Sequence, residues 1–375
     1  MAVSVFRNIS YAAPPTGAAR FAAPTPVDDV DGFDGPGPTA PAPARRFPLD
    51  LSPVIGPGWV RGDDYLTLNV WTPTRTGHAP VMVFVHGGAF QSGTGQAPVY
   101  DGTSFARDGV VLVTLNYRLG APGWLDLPGA PPNRGLLDVL AALGWVQRHI
   151  GDFGGDPDQV TLFGQSAGAM IVSAATVTPQ AGGLFRRAIS QSGGLSTLTS
   201  AQAQETTRAL AAVLGIPATV PAFAEVPDER LVSALAELPG AGSRLSPFGV
   251  VLDEVPPAQP VDLLAGSNSQ ESRLYQLPER SAAIDAMFRD GQDRLVSLHD
   301  KANTYRFDWR GGPLGACHTA ELPFVFDNTG LPALRSGNGL LGRDVPASLA
   351  SEMHGAWVEF ARTGDPGWRG ERVFA

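Results

Sequence analysis

The chain has 375 residues, of which 43% are hydrophobic and 17% charged, with a formal net charge of −9 and one cysteine, Cys317. That length and apolar content describe a globular chain able to bury a large core, and one compact unit over residues 1–375 is expected. The acidic balance offers no basic stripe to a phosphate backbone or an anionic membrane, which excludes nucleic acid as partner, and a lone cysteine excludes an internal disulfide or thiolate metal cluster.

The first residues lack a basic segment leading into an apolar one, and no apolar run is long enough to span a bilayer. A cytoplasmic location is expected, with secretion after loss of a signal peptide as the alternative. Proline and glycine dominate residues 23–60, and Asp31–Trp59 carries no sustained period, so an irregular surface loop is predicted there. Leu66–Trp71 alternates as a strand and ends at Thr72-Pro73. Val81–Val85 and Val110–Leu115 are continuous apolar runs rich in β-branched residues, the pattern of parallel strands buried on both faces. Gly135–Ile150 has its apolar residues at helical spacing, for an amphipathic helix of about four turns. Val160–Phe163 is a strand that leads through a tight turn into a helix. Ala188–Gln191, Val261–Ala265 and Thr304–Trp309 follow as strands, and Ala201–Leu214, Asp228–Leu238 and Ser348–Thr363 as helices. This alternation predicts an α/β fold, a mostly parallel sheet with helices on both faces, without repeats or linkers.

The chemistry centres on Gly164-Gln165-Ser166-Ala167-Gly168. A serine between two glycines, with a strand before and a helix behind, is the nucleophile-elbow pattern: the turn strains the serine, and residues two positions away must lack Cβ. A serine alcohol needs an imidazole base supported by a carboxylate. His78, His149 and His354 have structural readings in a polar turn, at a helix end and within a helix, and His299 lies in a charged stretch. His86 opens a Gly-Gly turn that its side chain can brace, and it precedes the serine. The order in hydrolases built on this elbow is serine, acid, histidine, which selects His318. Asp253, Glu254, Asp262, Glu271 and Asp285 are then candidates for the acid. Glu271 follows a buried strand, where functional groups collect in open α/β sheets, but the residues alone leave the choice open. The loop His86-Gly87-Gly88-Ala89-Phe90 ends a central strand, and the N–H groups of Gly88, Ala89 and Ala167 are the expected donors to a tetrahedral oxyanion. Phe90, Phe248, Tyr275 and Phe326 are candidate pocket walls. Nothing in the chain calls for a metal or cofactor.

Ile9–Pro15, Asp63–Trp71, the His86–Phe90 loop, Asn116–Gly120, Phe153–Pro157, Gln191–Gly193 and Glu321–Phe326 together resemble motifs of the type-B carboxylesterases, which include cholinesterases and bacterial para-nitrobenzyl esterases. The resemblance covers nearly the whole chain. It implies an α/β-hydrolase fold and a triad of Ser166, Glu271 and His318, with Ser192 close to the glutamate and Gln165 as a further supporting side chain. Three departures stand out. Tyr65 replaces the family's cysteine, the chain begins close to the first motif without the N-terminal strands usual in members, and only 47 positions separate Glu271 from His318. The last shortens the cap, and a shallow, open, broadly specific site is expected. The function implied is a serine carboxylesterase acting on small-molecule esters through an acyl-enzyme, in a monomer or weak homo-oligomer. A thioesterase or amidase would use the same groups; a non-catalytic binding protein of the same fold is the rival from another class, disfavoured because every catalytic candidate is present.

Overall fold

A computed structural model describes residues 3–44, 49–238 and 245–375. The strands in chain order are β1 (Ser4–Ser10), β2 (Thr67–Thr72), β3 (Ala79–Val85), β4 (Val111–Leu115), β5 (Gly155–Gln165), β6 (Arg187–Gln191), β7 (Thr197–Leu198), β8 (Val250–Val251), β9 (Asp262–Asn268), β10 (Ala302–Phe307) and β11 (Glu371–Phe374). Nine of them form one sheet in the order β1-β2-β4-β3-β5-β6-β9-β10-β11, and β7 and β8 pair separately. From β4 to β11 every pairing is parallel; β2 runs antiparallel to β4, and β1 to β2.

Side-chain alternation along the strands feeds two cores. Val81, Val83 and Val85 of β3 face a core shared with Val139, Leu143 and Val146 of the helix Arg134–His149 and with Ile171 and Val172 of the helix Ala167–Ala175. Met82 and Phe84 face the other way, onto Met353, Trp357 and Phe360 of the helix Ala347–Thr363. Since both faces are covered, both phases of the alternation must be apolar, which explains the unbroken hydrophobic runs.

Parallel pairing brings the carboxyl ends of β3, β5, β6, β9 and β10 to one edge. β4 lies on one side of β3 and β5 on the other, so the strand order reverses at β3, where open α/β sheets form their ligand crevices. The predicted strands and helices are all present, with ends shifted by one to a few residues; at the elbow, β5 begins five residues before the predicted start.

Among the elements that went unanticipated are β1, β7, β8, β11, several short helical turns and a helix over Ser281–Val296. β1 is bulged between Phe6 and Ile9 with Asn8 at φ 56°, which breaks its alternation. The helix carries Gly291 in its interior, where Leu195 N–H bonds the Gly291 carbonyl at 2.9 Å and a Cβ on Gly194 would lie 2.1 Å from the Gly291 carbonyl carbon. Close backbone contact demands glycine at 291, and glycine's low helix propensity weakens the helix signal there. The described residues of the segment, 23–44 and 49–60, are irregular apart from the turn Ser52–Ile55, but they are only partly a surface loop: Asp31–Pro36 are exposed, whereas Thr39–Ala42, Leu51 and Val54 are buried. Among the described residues no helix is long and apolar enough to cross a membrane.

Candidate active site

Ser166 sits between β5 and the helix Ala167–Ala175 with φ 57° and ψ −126°, a conformation that costs a non-glycine residue about 1–3 kcal/mol. The neighbours hold it there. Its N–H donates to the Gln191 carbonyl and its carbonyl accepts from Met170 N–H, both at 2.9 Å. A Cβ on Gly168 would lie 2.0 Å from the Val85 carbonyl oxygen, and one on Gly164 would lie 2.7 Å from the Gly168 carbonyl carbon. The flanking glycines are thus required by the crossing of helix and strands.

The loop after β3 is fixed through its carbonyls. Buried His86 donates from Nδ1 to the Gly87 carbonyl at 2.7 Å, stacks on Tyr117 with ring centroids 4.5 Å apart, and accepts at its own carbonyl from the Tyr117 hydroxyl at 2.9 Å. Burial pushes its imidazole down to about 4, so the ring stays neutral and serves as the brace expected of it. The Gly88 carbonyl accepts from Ser92 N–H and Ser92 Oγ, each at 3.0 Å, and the Ala89 carbonyl from Ser246 Oγ at 2.7 Å. In a trans peptide the N–H points opposite to the carbonyl, so these bonds orient the N–H groups of Gly88 and Ala89. Among the described residues neither N–H has a protein acceptor. Ala167 is the first residue of its helix, and its N–H has no intrahelical partner. Gly88, Ala89 and Phe90 all have positive φ, at 121°, 55° and 62°.

Glu271 and His318 meet in the interior. His318 Nδ1 lies 2.6 Å from Glu271 Oε2, with both side chains almost fully buried. Their loops are clipped together, Gln270 N–H to the Ala316 carbonyl at 3.1 Å and His318 N–H to the Glu271 carbonyl at 3.3 Å. Glu271 Oε1 accepts from Asn268 N–H at 2.7 Å. Nδ1 must carry the proton to pair with a carboxylate, which leaves a lone pair on Nε2. That lone pair faces the Gln165 side-chain amide nitrogen at 3.3 Å. The Ser166 hydroxyl makes no hydrogen bond to a described residue. Phe288 stacks on the His318 ring at 4.6 Å, and Tyr275 lies 5.6 Å away, centroid to centroid.

A cavity of about 240 Å³ opens beside Ser166, lined by Ser166, Ala167 and Ala89 and walled mainly by Phe90, Met170, Leu198, Phe248, Ile284, Met287 and Phe288, with Tyr275 and Arg280 also on its wall; of the residues just described, Ser166, Phe288 and Tyr275 reach it, and Glu271 and His318 lie outside its lining. Of the four candidate walls, Phe90, Phe248 and Tyr275 are on this lining. Phe326 is not: it is fully buried in the opposite core, 5.0 Å from Phe84 and 5.4 Å from Phe105, centroid to centroid. Ser192 is buried at φ 52°, and its Oγ bonds neither Glu271 nor any other described residue. Asp253 binds Ser200 at an exposed helix start, and Asp285 binds Ser272. His149, His299 and His354 make contacts far from Ser166, and His78 is exposed. Missed from the sequence were Asn268, the second buried acid Glu321, and the cavity-facing helix with Ile284, Met287 and Phe288. The four-residue step from Ile284 to Phe288 was the available signal for that helix.

A mostly parallel sheet covered on both faces, with a strained serine at a strand–helix elbow beside an amide-rich loop at the reversal of strand order, is the α/β-hydrolase fold. Residues 1–278 match the carboxylesterase family. A para-nitrobenzyl esterase of Bacillus subtilis (strain 168) is 34% identical over 97% of this chain and 87% of its own. A fumonisin B1 esterase of Sphingopyxis macrogoltabida is 32% identical over 97% and 79%. A solved structure of a PNB esterase superposes with a TM-score of 0.85 at 30% identity, covering 100% of this chain and 92% of that one. The chain belongs to the carboxylesterase family and is a carboxylic ester hydrolase. His318 lies beyond the matched segment, although the relatives' alignments cover nearly the whole chain.

Proposed function

We propose that the chain hydrolyses small carboxylic esters through an acyl-enzyme on Ser166, with His318 as general base, Glu271 as its supporting carboxylate, and the N–H groups of Gly88, Ala89 and Ala167 as oxyanion donors. The observation that carries this reading is the buried 2.6 Å contact of His318 Nδ1 with Glu271 Oε2, which leaves the Nε2 lone pair as the only base on the ring. The 3.3 Å contact from Gln165 is long, and the bond from the Ser166 hydroxyl to Nε2 that this reading requires is of the kind that commonly forms only once substrate is bound.

The steps follow. Ser166 Oγ attacks the ester carbonyl as its proton passes to His318 Nε2, and Glu271 stabilises the imidazolium. The three amides receive the oxyanion, each contributing on the order of 3 kcal/mol to the transition state. His318 then protonates the departing alkoxide. Water, deprotonated by the same nitrogen, attacks the acyl carbonyl and returns Ser166 with a carboxylic acid as product.

The cavity supports an apolar substituent on the substrate. A volume of about 240 Å³ walled mainly by apolar side chains suits a short fatty acyl or an aromatic group. The other half of the ester would lie in an open mouth that tolerates bulk. A single catalytic domain over 1–375 fits this reading, as does a cytoplasmic protein, monomeric or weakly self-associating: its one cysteine is buried, and Val30, Phe33, Leu298 and Val373 are its exposed large apolar side chains among the described residues.

A fluorophosphonate should label Ser166 in the wild type and not in Ser166→Ala, and that variant should lose turnover of p-nitrophenyl esters with its thermal melt unchanged. Turnover retained by Ser166→Ala would end this reading. An ester series of increasing bulk tests the mouth: a steep preference for the smallest acyl and alcohol groups is the contrary result.

A further inference from the structure

Behind Glu271 lies a second glutamate that the hydrolytic steps leave unused. Glu321 is fully buried, and Asn268 stands between the two acids. The Asn268 backbone N–H donates to Glu271 Oε1, while its side-chain Nδ2 donates to Glu321 Oε2 and to the Cys317 carbonyl, all three at 2.7 Å. Both partners of Nδ2 are pure acceptors when Glu321 is ionised, so the amide has one orientation. Cys317 precedes His318, which means that one asparagine grips the backbone of the base, the carboxylate that supports it and the acid behind. On its far side Glu321 Oε1 meets Gln191 Nε2 at 3.4 Å, and Gln191 is held in turn by Trp357 Nε1–H at 3.0 Å. Gln191 also accepts the Ser166 N–H at its carbonyl. The bonds of Glu321 therefore reach the segments that carry all three reacting groups.

We propose that Glu321 is a positioning residue for ester hydrolysis, fixing Glu271 and the ring of His318 through Asn268. This rests on the assignment of Ser166, His318 and Glu271 made above. The titratable groups facing Glu321 are Glu271, His318, Tyr100, Tyr305 and Cys317. Burial first, and the Glu271 charge second, push its carboxyl up to about 7, against the pull of the Asn268 bond and of His318. It therefore gains its charge across neutral pH, and in the ionised form it adds to the negative potential in which an imidazolium forms.

The test compares wild type, Glu321→Gln, Asn268→Ala and Ser166→Ala as full chains, measuring kcat and KM for p-nitrophenyl butanoate from pH 5.5 to 9 and the rate of fluorophosphonate labelling. Glu321→Gln should lower kcat and the labelling rate by about tenfold, the scale on which loss of an outer hydrogen-bond partner is felt, with KM little changed. It should also remove the part of the wild-type pH dependence that falls around pH 7. Asn268→Ala keeps the N–H on Glu271 and cuts the link to Glu321, so it should reproduce the kcat loss and decides the matter if the glutamine variant does not fold. A kcat and pH profile superimposable on wild type, or a loss equal at every pH with a raised KM, overturns the proposal. Turnover in Ser166→Ala would instead overturn the nucleophile assignment on which it rests.

Discussion

Alanine at Gly168 would place its methyl group 2.0 Å from the Val85 carbonyl oxygen and 2.7 Å from that of His86. Contacts below 3.4 Å are already rare for a Cβ, so the methyl must retreat by well over an ångström, and both obstacles are backbone that cannot swing aside. Either the helix Ala167–Ala175 withdraws from β3 or the end of β3 is pushed outward with the loop it carries. In both cases the Ala167 N–H moves against those of Gly88 and Ala89. A misplacement of about 1 Å at a catalytic group costs on the order of a hundredfold in rate, and overpacking costs about 1–3 kcal/mol of stability. Gly168→Ala should therefore fold with a lowered urea midpoint and lose roughly two orders of magnitude in kcat/KM for a soluble ester. Gly355→Ala is the matched control: that glycine is exposed within the helix Ala347–Thr363 with nothing within 4 Å of a built Cβ. It should gain about 0.4–1 kcal/mol with turnover unchanged. Gly168→Ala with kcat/KM within threefold of wild type would show that the crossing at Val85 is not what demands glycine.

Glu321→Gln also has a stability signature. An acid whose carboxyl is raised from 4.5 to about 7 favours the protonated folded state, so its contribution is full below pH 4.5 and is lost as pH climbs to about 7. Glutamine abolishes that loss, and urea unfolding should show the variant gaining on wild type by up to about 3 kcal/mol between pH 4.5 and 8; parallel pH slopes would contradict it. Asp138 forms a fully buried pair with Arg118, Oδ1 to Nη2 at 2.7 Å. Asp138→Ala leaves that guanidinium uncompensated and should cost about 3–5 kcal/mol in urea unfolding, whereas an effect below 1 kcal/mol would mean that the charge finds water. Phe326→Ala should destabilise by about 3–5 kcal/mol in the same assay and leave KM unchanged in the folded fraction, since its ring lies in the core away from the cavity. Phe288→Ala, which strips the ring from the face of His318, should show itself in kcat instead.

The parts of the site that the sequence displays are those whose geometry is encoded locally. Ser166 needs glycine two positions away on each side because a helix and two strands cross there, and the requirement is met within five residues. The His86–Phe90 loop is legible for a similar reason: its shape depends on positive φ in successive residues. The strands were legible because burial on both faces removes the alternation that a one-sided sheet would show. Glu271 had four rivals because what distinguishes it is non-local. Asn268 and the Cys317–His318 backbone come together only when β9 and β10 lie side by side, and Asp253 or Asp285 looks equally suitable until that pairing exists. The same lack of long-range information explains Phe326. An aromatic residue after a short apolar turn looks the same whether it faces substrate or the opposite core, and only the sheet's two-sidedness decides. The walls supplied by Ile284, Met287 and Phe288 were hidden for a third reason, a conflict between levels: Gly291 and the polar residues around it weaken the local helix signal, while close packing against Gly193 and Gly194 requires that glycine. Local strain thus marks Ser166, and the pairing of Glu271 with His318 is selected by contacts between distant strand ends. Substitutions at Asn268 and Glu321, which no short motif marks as functional, should accordingly be felt at His318.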